Sequence, residues 1–336
     1  MRGLNKTWPV LALVIVFVFW YLKMAKHYPR QIDLSRAQPD YWGLTYSHKL
    51  AQDLGLDWRA LYQEILDDLQ VKYIRLPFYW DEIEKSEGEF DFADYDYMLS
   101  AGAGRQVKFI ANIGWRLPRW PECHAPAWLA KADDQQIKIR VISMLETVVE
   151  RYKDNPDIIA WQVENEPLLD AFGECPPGDV DFLKKEVAFV KSQDDTRPII
   201  ISASGELSWW GREAELADIF GTTMYRVVWT PLWGYIRHPW PAWYYQLKAR
   251  RLGLDRNQLI ISELQAEPWA PDGDLLELEA AEAKKSFDLE QFKANLQFAI
   301  NVDFKQTYLW GVEWWYLQKE KGNSSYWDLG REIFRN

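Results

Sequence analysis

The chain has 336 residues, with 39 Lys and Arg against 50 Asp and Glu, which gives a formal net charge of −11 at pH 7. A negative chain without a local basic patch does not attract phosphate backbones, so composition argues against nucleic acid as a partner. Two Cys and four His argue against a disulfide-rich scaffold and a zinc cluster, and no metal site is predicted. The 20 Trp residues predict stacking surfaces for flat apolar ligand faces in addition to a large core.

The N-terminal segment between Lys6 and Lys23 is free of charged residues and mainly apolar. Its length suits a short membrane-spanning helix whose flanking lysines snorkel, and it also suits the hydrophobic region of a signal peptide. No small-x-small cleavage site follows it, and Trp20 and Tyr21 lie where interfacial aromatic residues anchor a helix. The sequence therefore predicts a cytoplasmic stub and membrane anchor over residues 1–23, a tether over 24–40 and an extracytoplasmic catalytic domain. Secretion after signal-peptide cleavage is the alternative.

From residue 41 to residue 336, short apolar runs alternate with longer amphipathic stretches in eight units. Near-continuous apolar runs are typical of parallel strands that are buried on both faces. The predicted strands are Tyr41–Ser47, Val71–Pro77, Val107–Gly114, Ile158–Glu166, Pro198–Ala203, Ile219–Tyr225, Leu259–Glu263 and Gln306–Trp310. The predicted helices are Asp57–Leu69, Phe92–Ala103, Asp133–Lys153, Asp179–Gln193, Glu206–Ala217, Trp240–Leu252, Asp288–Val302 and Trp327–Phe334.

Eight βα units over about 300 residues predict a (β/α)8 TIM barrel that forms one catalytic domain. A doubly wound open sheet is the alternative, although no strand is followed by a glycine-rich phosphate loop. Tryptophans follow the third, sixth, seventh and eighth predicted strands, and in a barrel those loops emerge on the same face. We therefore expect an aromatic rim around a site at the C-terminal ends of the strands.

Two predicted strands end on a carboxylate. The fourth runs into Trp161-Gln-Val-Glu-Asn-Glu-Pro167, and the seventh is Leu259-Ile-Ile-Ser-Glu263. In a barrel such residues project into the pocket, and two carboxyl groups across a sugar ring are what glycosidic bond cleavage requires. One protonates the leaving oxygen, and the other attacks the sugar or activates water.

The Asn165-Glu166-Pro167 tripeptide, the later Ile-Ser-Glu263, and Val71-Lys-Tyr-Ile-Arg-Leu-Pro77 with Trp80 occur in this order. Together they resemble glycoside hydrolase clan A, the retaining cellulase, mannanase, β-galactosidase and β-xylosidase superfamily. The resemblance extends over nearly all of residues 41–336. It implies a retaining glycosidase without a cofactor, in which Glu166 is the general acid/base and Glu263 is the nucleophile.

The same resemblance implies further roles around these two residues. Asn165 would donate to the 2-hydroxyl of the reactive sugar, Arg75 would lie beside Glu263, and Tyr225 would hydrogen-bond Glu263. Trp310 or Trp314 would form the floor under that sugar.

The sequence departs from the clan pattern after the third strand, where Asn112-Ile-Gly-Trp115 replaces the usual histidine. Substrate contacts there are therefore reassigned to Asn112 and Trp115. Glu267 is a second candidate carboxylate near Glu263, and Glu164 is interpreted as the partner of a buried cation.

Cys123 and Cys175 lie in the loops after the third and fourth strands, where neighbouring loops can meet. A disulfide between them is expected in an oxidising compartment, and two unpaired thiols are the alternative. The sequence as a whole predicts a membrane-anchored retaining glycosidase that acts on β-linked oligo- or polysaccharides. The alternatives are a non-catalytic cell-surface carbohydrate-binding barrel and a transglycosylase of the same fold.

Overall fold

The computed structural model describes residues 32–37 and 40–335, and a closed barrel of eight parallel strands dominates it. The strands in chain order are β1 (Trp42–Thr45), β2 (Tyr73–Pro77), β3 (Lys108–Ile113), β4 (Ile158–Val163), β5 (Ile199–Ser204), β6 (Ile219–Met224), β7 (Val227–Thr230), β8 (Gly234–Arg237), β9 (Leu259–Gln265) and β10 (Gln306–Trp310). The barrel runs β1-β2-β3-β4-β5-β6-β9-β10 and closes where β10 pairs with β1. The predicted TIM barrel is confirmed, and the open-sheet alternative is wrong because the sheet closes.

Helices surround the barrel and connect its strands. They are α1 (His48–Asp53), α2 (Trp58–Glu64), α3 (Trp80–Ile83), α4 (Ala93–Ala103), α5 (Asp134–Tyr152), α6 (Val180–Gln193), α7 (Gly211–Ala214), α8 (Ala242–Arg251), α9 (Ala280–Ala283), α10 (Leu289–Val302), α11 (Val312–Glu320) and α12 (Ser325–Arg335). A π turn over Ile65–Leu69 continues α2, and 3-10 turns lie at Leu34–Arg36, Ala127–Leu129 and Arg256–Gln258.

Aspartates begin the long helices where the sequence predicts them. The side chain of Asp133 accepts from the backbone N–H of Gln136, and the Gln136 side chain accepts from the Asp133 backbone, which forms a capping box. Asp179 and Asp288 cap α6 and α10 by accepting from backbone N–H groups of the first turn, without the reciprocal bond. The helix predicted over 206–217 shortens to α7 because Trp210, immediately before it, has a left-handed φ of 72°.

The barrel interior is filled in two layers. The lower layer is apolar, with side chains from five strands: Ile110, Ala160, Ile200, Ile260 and Tyr308. The layer above it, at the C-terminal ends of the strands, is polar and buried and contains Arg75, Asn112 and Glu263. This polar layer is where the candidate residues meet.

The structure contains a further element that the sequence does not predict, the β7–β8 hairpin inserted after β6. Of the predicted tether, residues 34–36 form a 3-10 turn, and the Asp33 N–H donates to Gln297 Oε1 on α10 at 2.7 Å. Among residues 32–37 and 40–335, no helix combines the length and apolar character needed to cross a membrane. The predicted anchor over residues 1–23 lies outside the described residues.

Candidate active site

Glu263 lies within β9 and is 2% exposed. Its Oε1 accepts from Nη1 of Arg75 on β2 at 2.9 Å, and its Oε2 accepts from the Tyr225 hydroxyl at 2.7 Å. Both carboxyl oxygens therefore have strong donors, as a buried carboxylate requires. Tyr225 directly follows β6, and its predicted hydrogen bond to Glu263 is present in the structure.

Glu166 lies just beyond β4 and is 7% exposed. Its Oε1 accepts from the Thr223 hydroxyl at 3.0 Å, and its backbone N–H donates to Ser202 Oγ at 3.0 Å. Burial, followed by the negative charge of Glu263, raises the pKa of Glu166 to about 8. A carboxyl group in this setting holds its proton at neutral pH.

Thr223 connects the two carboxyl groups. It pairs with Glu263 in the register between β6 and β9, and its hydroxyl donates to Glu166. The two groups thus occupy neighbouring positions in one buried site but have different surroundings, since Glu263 has a cationic partner and Glu166 has neutral donors. Such a difference is what separates the roles of two active-site carboxyl groups.

Arg75 joins the strands beneath this pair and is fully buried. Besides Glu263, its guanidinium donates to oxygens on four side chains: Thr45, Asn112, Gln162 and Asn165. The 2.7 Å bond to Asn165 Oδ1 fixes that amide, so its Nδ2 faces Glu122 Oε2 at 3.5 Å. Asn112 Nδ2 donates to the carbonyls of Gln162 and Glu164, so the structure places Asn112 beneath the site as a support of the β4 end.

The end of β4 differs from the prediction. The strand stops at Val163, and both Glu164 and Glu166 have positive φ, of 61° and 45°. The alternation of a strand therefore does not apply to them. Glu164 accepts from the backbone N–H groups of Trp115 and Arg116 and hydrogen-bonds Glu186, and the charge of the buried Arg116 also acts on it. Gly114, at φ 138°, permits this approach, because a Cβ there would lie 2.4 Å from Glu164 Oε1.

The predicted tryptophans separate into different environments. Trp314 is buried in the hydrophobic core, with edge-on contacts to Phe287 and Tyr326, so the structure contradicts its prediction as a sugar platform. Trp310 ends β10, and the guanidinium of Arg119 lies 3.8 Å from its ring centroid. Trp115 is also buried beside the site, and its indole N–H has no hydrogen-bond partner in the protein.

Buried ion pairs cover one side of the barrel mouth. Arg119, from the loop after β3, crosses to Glu267 after β9 and donates to Glu313 Oε2 on α11 at 3.0 Å. The other oxygen of Glu313 accepts from the backbone N–H of Ser47, after β1. We call Ser47, Arg119, Glu267, Trp310 and Glu313 the closed sector. Glu267 therefore serves as a partner of Arg119.

Gly311 and burial shape the closed sector further. Gly311 has φ 128°, and a Cβ there would lie 2.5 Å from Cβ of Glu267, so only glycine lets the two loops approach this closely. Glu313 is 0% exposed, and burial raises its pKa to about 7 although the charge of Arg119 opposes the shift. The side chains of this sector exclude water from the β1 and β10 side of the mouth.

Another part of the mouth exposes aromatic rings. Trp209, after β5, is 80% exposed, and Trp233, in the β7–β8 hairpin, is 75% exposed. Trp120 contacts Phe172 edge-on, and both are exposed in the loops after β3 and β4. We call Trp120, Phe172, Trp209 and Trp233 the aromatic sector. Phe172 also contacts Trp269, whose ring packs against Tyr225, so aromatic contacts lead from the rim to the partner of Glu263.

A disulfide joins Cys123 and Cys175, with a Cα–Cα distance of 5.4 Å, so the predicted pairing is confirmed. It ties the loop that carries Arg119 to the loop after β4. Among the described residues, no group of three or more His, Cys, Asp and Glu side chains is arranged to hold a metal ion.

Sequence reasoning misses Arg119, Glu122 and Glu313. Each lies outside the strands, and each meets its partners through contacts between distant loops. Burial and the charge of Glu263 raise the pKa of Glu122 well above its usual range, which makes it a third carboxyl group beside Asn165. The position of Glu122, three residues after Arg119 in a tryptophan-rich loop, gives no sequence signal of its own.

A closed (β/α)8 barrel with one carboxyl group after its fourth barrel strand and another on its seventh is an arrangement that suits a TIM-barrel glycosidase. The family model described as glycosyl hydrolases family 2, TIM barrel domain, matches residues 111–261, a span that includes Glu166 and ends two residues before Glu263. β-Galactosidase BgaA of Clostridium cellulovorans is 23% identical over 181 residues, which are 46% of this chain and 26% of that protein. The chain thus spans about a quarter of this relative's length.

Solved structures share the fold. Xylanase 10B of Thermotoga maritima has a TM-score of 0.56 at 14% identity, and the alignment covers 90% of this chain and 97% of that chain. The β-galactosidase of Rahnella sp. R3 has a TM-score of 0.57 at 12% identity, with 91% and 57% covered. The family-model match, the relative and the shared fold together support a (β/α)8 glycosidase of the clan A type.

Proposed function

We propose that the protein is a retaining glycoside hydrolase that cleaves β-linked oligo- or polysaccharides by double displacement. The observation that carries the proposal is the pair of Glu166 and Glu263, which share Thr223 but have different partners. The relatives named above are β-galactosidases and a xylanase, which supports a β-linked substrate. No cofactor takes part, because the two carboxyl groups and water complete the reaction.

In the first step, an Oε of Glu263 attacks the anomeric carbon while the bond from that carbon to the leaving oxygen breaks. Glu166, protonated because its pKa is raised to about 8, gives its proton to the leaving oxygen. Arg75 and Tyr225 hold the Glu263 carboxylate in place for this attack. The Nδ2 of Asn165 is free of the Arg75 contact and is the donor for the sugar 2-hydroxyl.

In the second step, Glu166 is a carboxylate and takes a proton from water, whose oxygen attacks the same carbon. The ester bond to Glu263 breaks, and the sugar leaves with its original anomeric configuration. Departure of the first product makes room for this water. A sugar hydroxyl in place of water would give transglycosylation.

We also propose that the protein acts outside the cytoplasm and is anchored by residues 1–23. Two observations support this location. The segment between Lys6 and Lys23 is uncharged and mainly apolar, and the Cys123–Cys175 disulfide is typical of oxidising compartments.

The experiment uses the purified protein with aryl β-glycosides of several sugars and with β-linked polysaccharides, beside the Glu263→Ala and Glu166→Gln variants. We expect wild type to release the phenol from at least one aryl glycoside. The Glu263→Ala variant should turn over the same glycoside at least about 10⁴-fold more slowly. Added azide should restore turnover of Glu263→Ala and yield a glycosyl azide. Unchanged turnover in Glu263→Ala would remove this residue from the role, and glycan binding without any turnover would favour the carbohydrate-binding barrel.

A further inference from the structure

We infer that Arg119 ends the sugar-binding site on the non-reducing side, so that the enzyme removes single sugars from the non-reducing ends of its substrate. This inference rests on the proposed function of Glu166 and Glu263. It follows from where the closed sector and the aromatic sector lie relative to the two carboxyl groups.

The position of the general acid sets the direction of the substrate. An acid that protonates the leaving oxygen must lie beside the leaving group. Glu166 is bonded to Ser202 on β5 and Thr223 on β6, so the leaving group extends over the loops that follow β4, β5 and β6. The reactive sugar, and any sugar on its non-reducing side, must extend the opposite way, towards β1 and β10.

That opposite side is occupied by the closed sector. Trp310 pairs with Thr45 in the register between β10 and β1, and Arg119 stacks on the Trp310 ring. A second sugar on the non-reducing side would have to displace the Arg119 guanidinium from this ring.

Displacing Arg119 is costly because two carboxyl groups depend on it. Glu267 and Glu313 are both buried, and without Arg119 they would remain in a water-excluded site with no cationic partner. Breaking one partner of a buried ion pair carries a large penalty, whereas an exposed pair carries little. The arginine therefore acts as a fixed wall of the site, and sugar stacking is too weak to move it.

The distribution of exposed aromatic rings supports the same direction. Trp209 and Trp233 stand in the loops after β5 and β6, on the side of the leaving group. Within residues 32–37 and 40–335, the segments after β1, β2 and β10 expose no large apolar side chain. Platforms for a long chain are thus present where the leaving group lies and absent where a second non-reducing sugar would bind.

The test follows the products from a β-linked hexasaccharide that carries a fluorophore at its reducing end, made of the sugar whose aryl glycoside is hydrolysed. We expect labelled products that shorten by one sugar at a time, with the monosaccharide as the small product. A hexasaccharide blocked at its non-reducing terminal sugar should resist cleavage. Internal fragments at the earliest times, or cleavage of the blocked substrate, would overturn the inference while aryl glycoside turnover leaves the proposed function intact. Failure of every aryl glycoside would instead remove the proposed function.

The Arg119→Ala variant tests the wall itself. We expect its share of internal fragments to rise about tenfold, because an opened site gains one stacked sugar. Arg140→Ala is the matched control, since Arg140 lies on α5 and pairs with Glu87 in solvent; its product pattern should equal that of wild type. Thermal unfolding reports whether Arg119→Ala is folded, and the wild-type products decide the inference if it is not. A folded Arg119→Ala variant with the wild-type product pattern would show that Arg119 is not the wall.

Discussion

The closed sector and the aromatic sector are two parts of one barrel mouth and are built from different chemistry. The closed sector holds Arg119, Glu267 and Glu313 in buried ion pairs, which fix the geometry of three loops. The aromatic sector presents Trp209 and Trp233 to solvent with few fixed neighbours. Buried charges demand one arrangement, whereas exposed rings accept ligands in several positions. The ion-paired part of this mouth is therefore held in one geometry, whereas the aromatic part can adapt to its ligand.

The largest loss of stability and activity is expected from substitution of Arg75, which lies beneath both sectors. Arg75→Met leaves Glu263 buried without its cation and should lower the free energy of unfolding by about 3–5 kcal/mol. It should also reduce kcat/KM by about 10³-fold on aryl glycosides and hexasaccharide alike, since both need the nucleophile. Arg75→Lys, which keeps the charge but loses the planar fork, should recover part of the stability and little of the activity. A loss confined to the hexasaccharide would place Arg75 in one sector only.

The next effect concerns the brace of the closed sector. Replacing Cys123 and Cys175 by Ser opens a crosslink with a sequence separation of 52, which in the chain-entropy model lowers the free energy of unfolding by about 4 kcal/mol. We also expect more internal fragments from the hexasaccharide, because the Arg119 loop loses its tie to the loop after β4. Denaturant unfolding and product analysis measure the two effects. An unchanged product pattern would mean that the ion pairs alone hold Arg119.

A smaller effect is expected from pH, which acts on the protonation of Glu166 and not on either sector. Because the pKa of Glu166 is raised to about 8, the protonated acid dominates below that pH and declines tenfold per unit above it. We expect kcat/KM for a poor leaving group to fall above about pH 8. Glu166→Gln with a dinitrophenyl glycoside, whose leaving group needs no proton, should lack this limb. A decline that begins near pH 5 would contradict the raised pKa.

The smallest effect belongs to the aromatic sector. Trp209→Ala should raise KM for the hexasaccharide about fivefold, the effect of about 1 kcal/mol of lost stacking, and leave the aryl glycoside unchanged. Ile139→Ala removes an exposed apolar side chain from α5, outside the mouth, and serves as the control. Equal changes on both substrates would show that Trp209 acts on the reactive sugar and not on the leaving group.

The barrel and the carboxyl pair are predictable from local sequence because each rests on a short pattern. Buried parallel strands give apolar runs, and the runs ending at Glu166 and Glu263 place both residues at the C-terminal face. Arg75 is predictable in the same way, since it lies within a strand and points to the barrel interior. Strand register then fixes which of these side chains meet.

The closed sector is not predictable from local sequence. Arg119 is 148 positions from Glu267 and 194 from Glu313, and it lies in a loop with a left-handed φ of 85°. No periodic pattern in the sequence predicts the path of such a loop or the distant residues that it contacts. The role that the resemblance implies for Trp314 fails for a related reason, because α11 turns its ring into the core and the local sequence cannot distinguish a packed ring from an exposed one.

The loop over residues 114–132 sets where the substrate site ends, whereas the strands carry the residues that cleave the bond. The residues that break the bond lie on strands or at strand ends, whereas the residue that ends the substrate site lies on this loop. Insertions and deletions are tolerated in loops far more readily than in barrel strands. Exchange of this segment together with its buried partners Glu267 and Glu313 is therefore expected to convert a trimming enzyme into one that cuts within chains, while Glu166 and Glu263 stay unchanged.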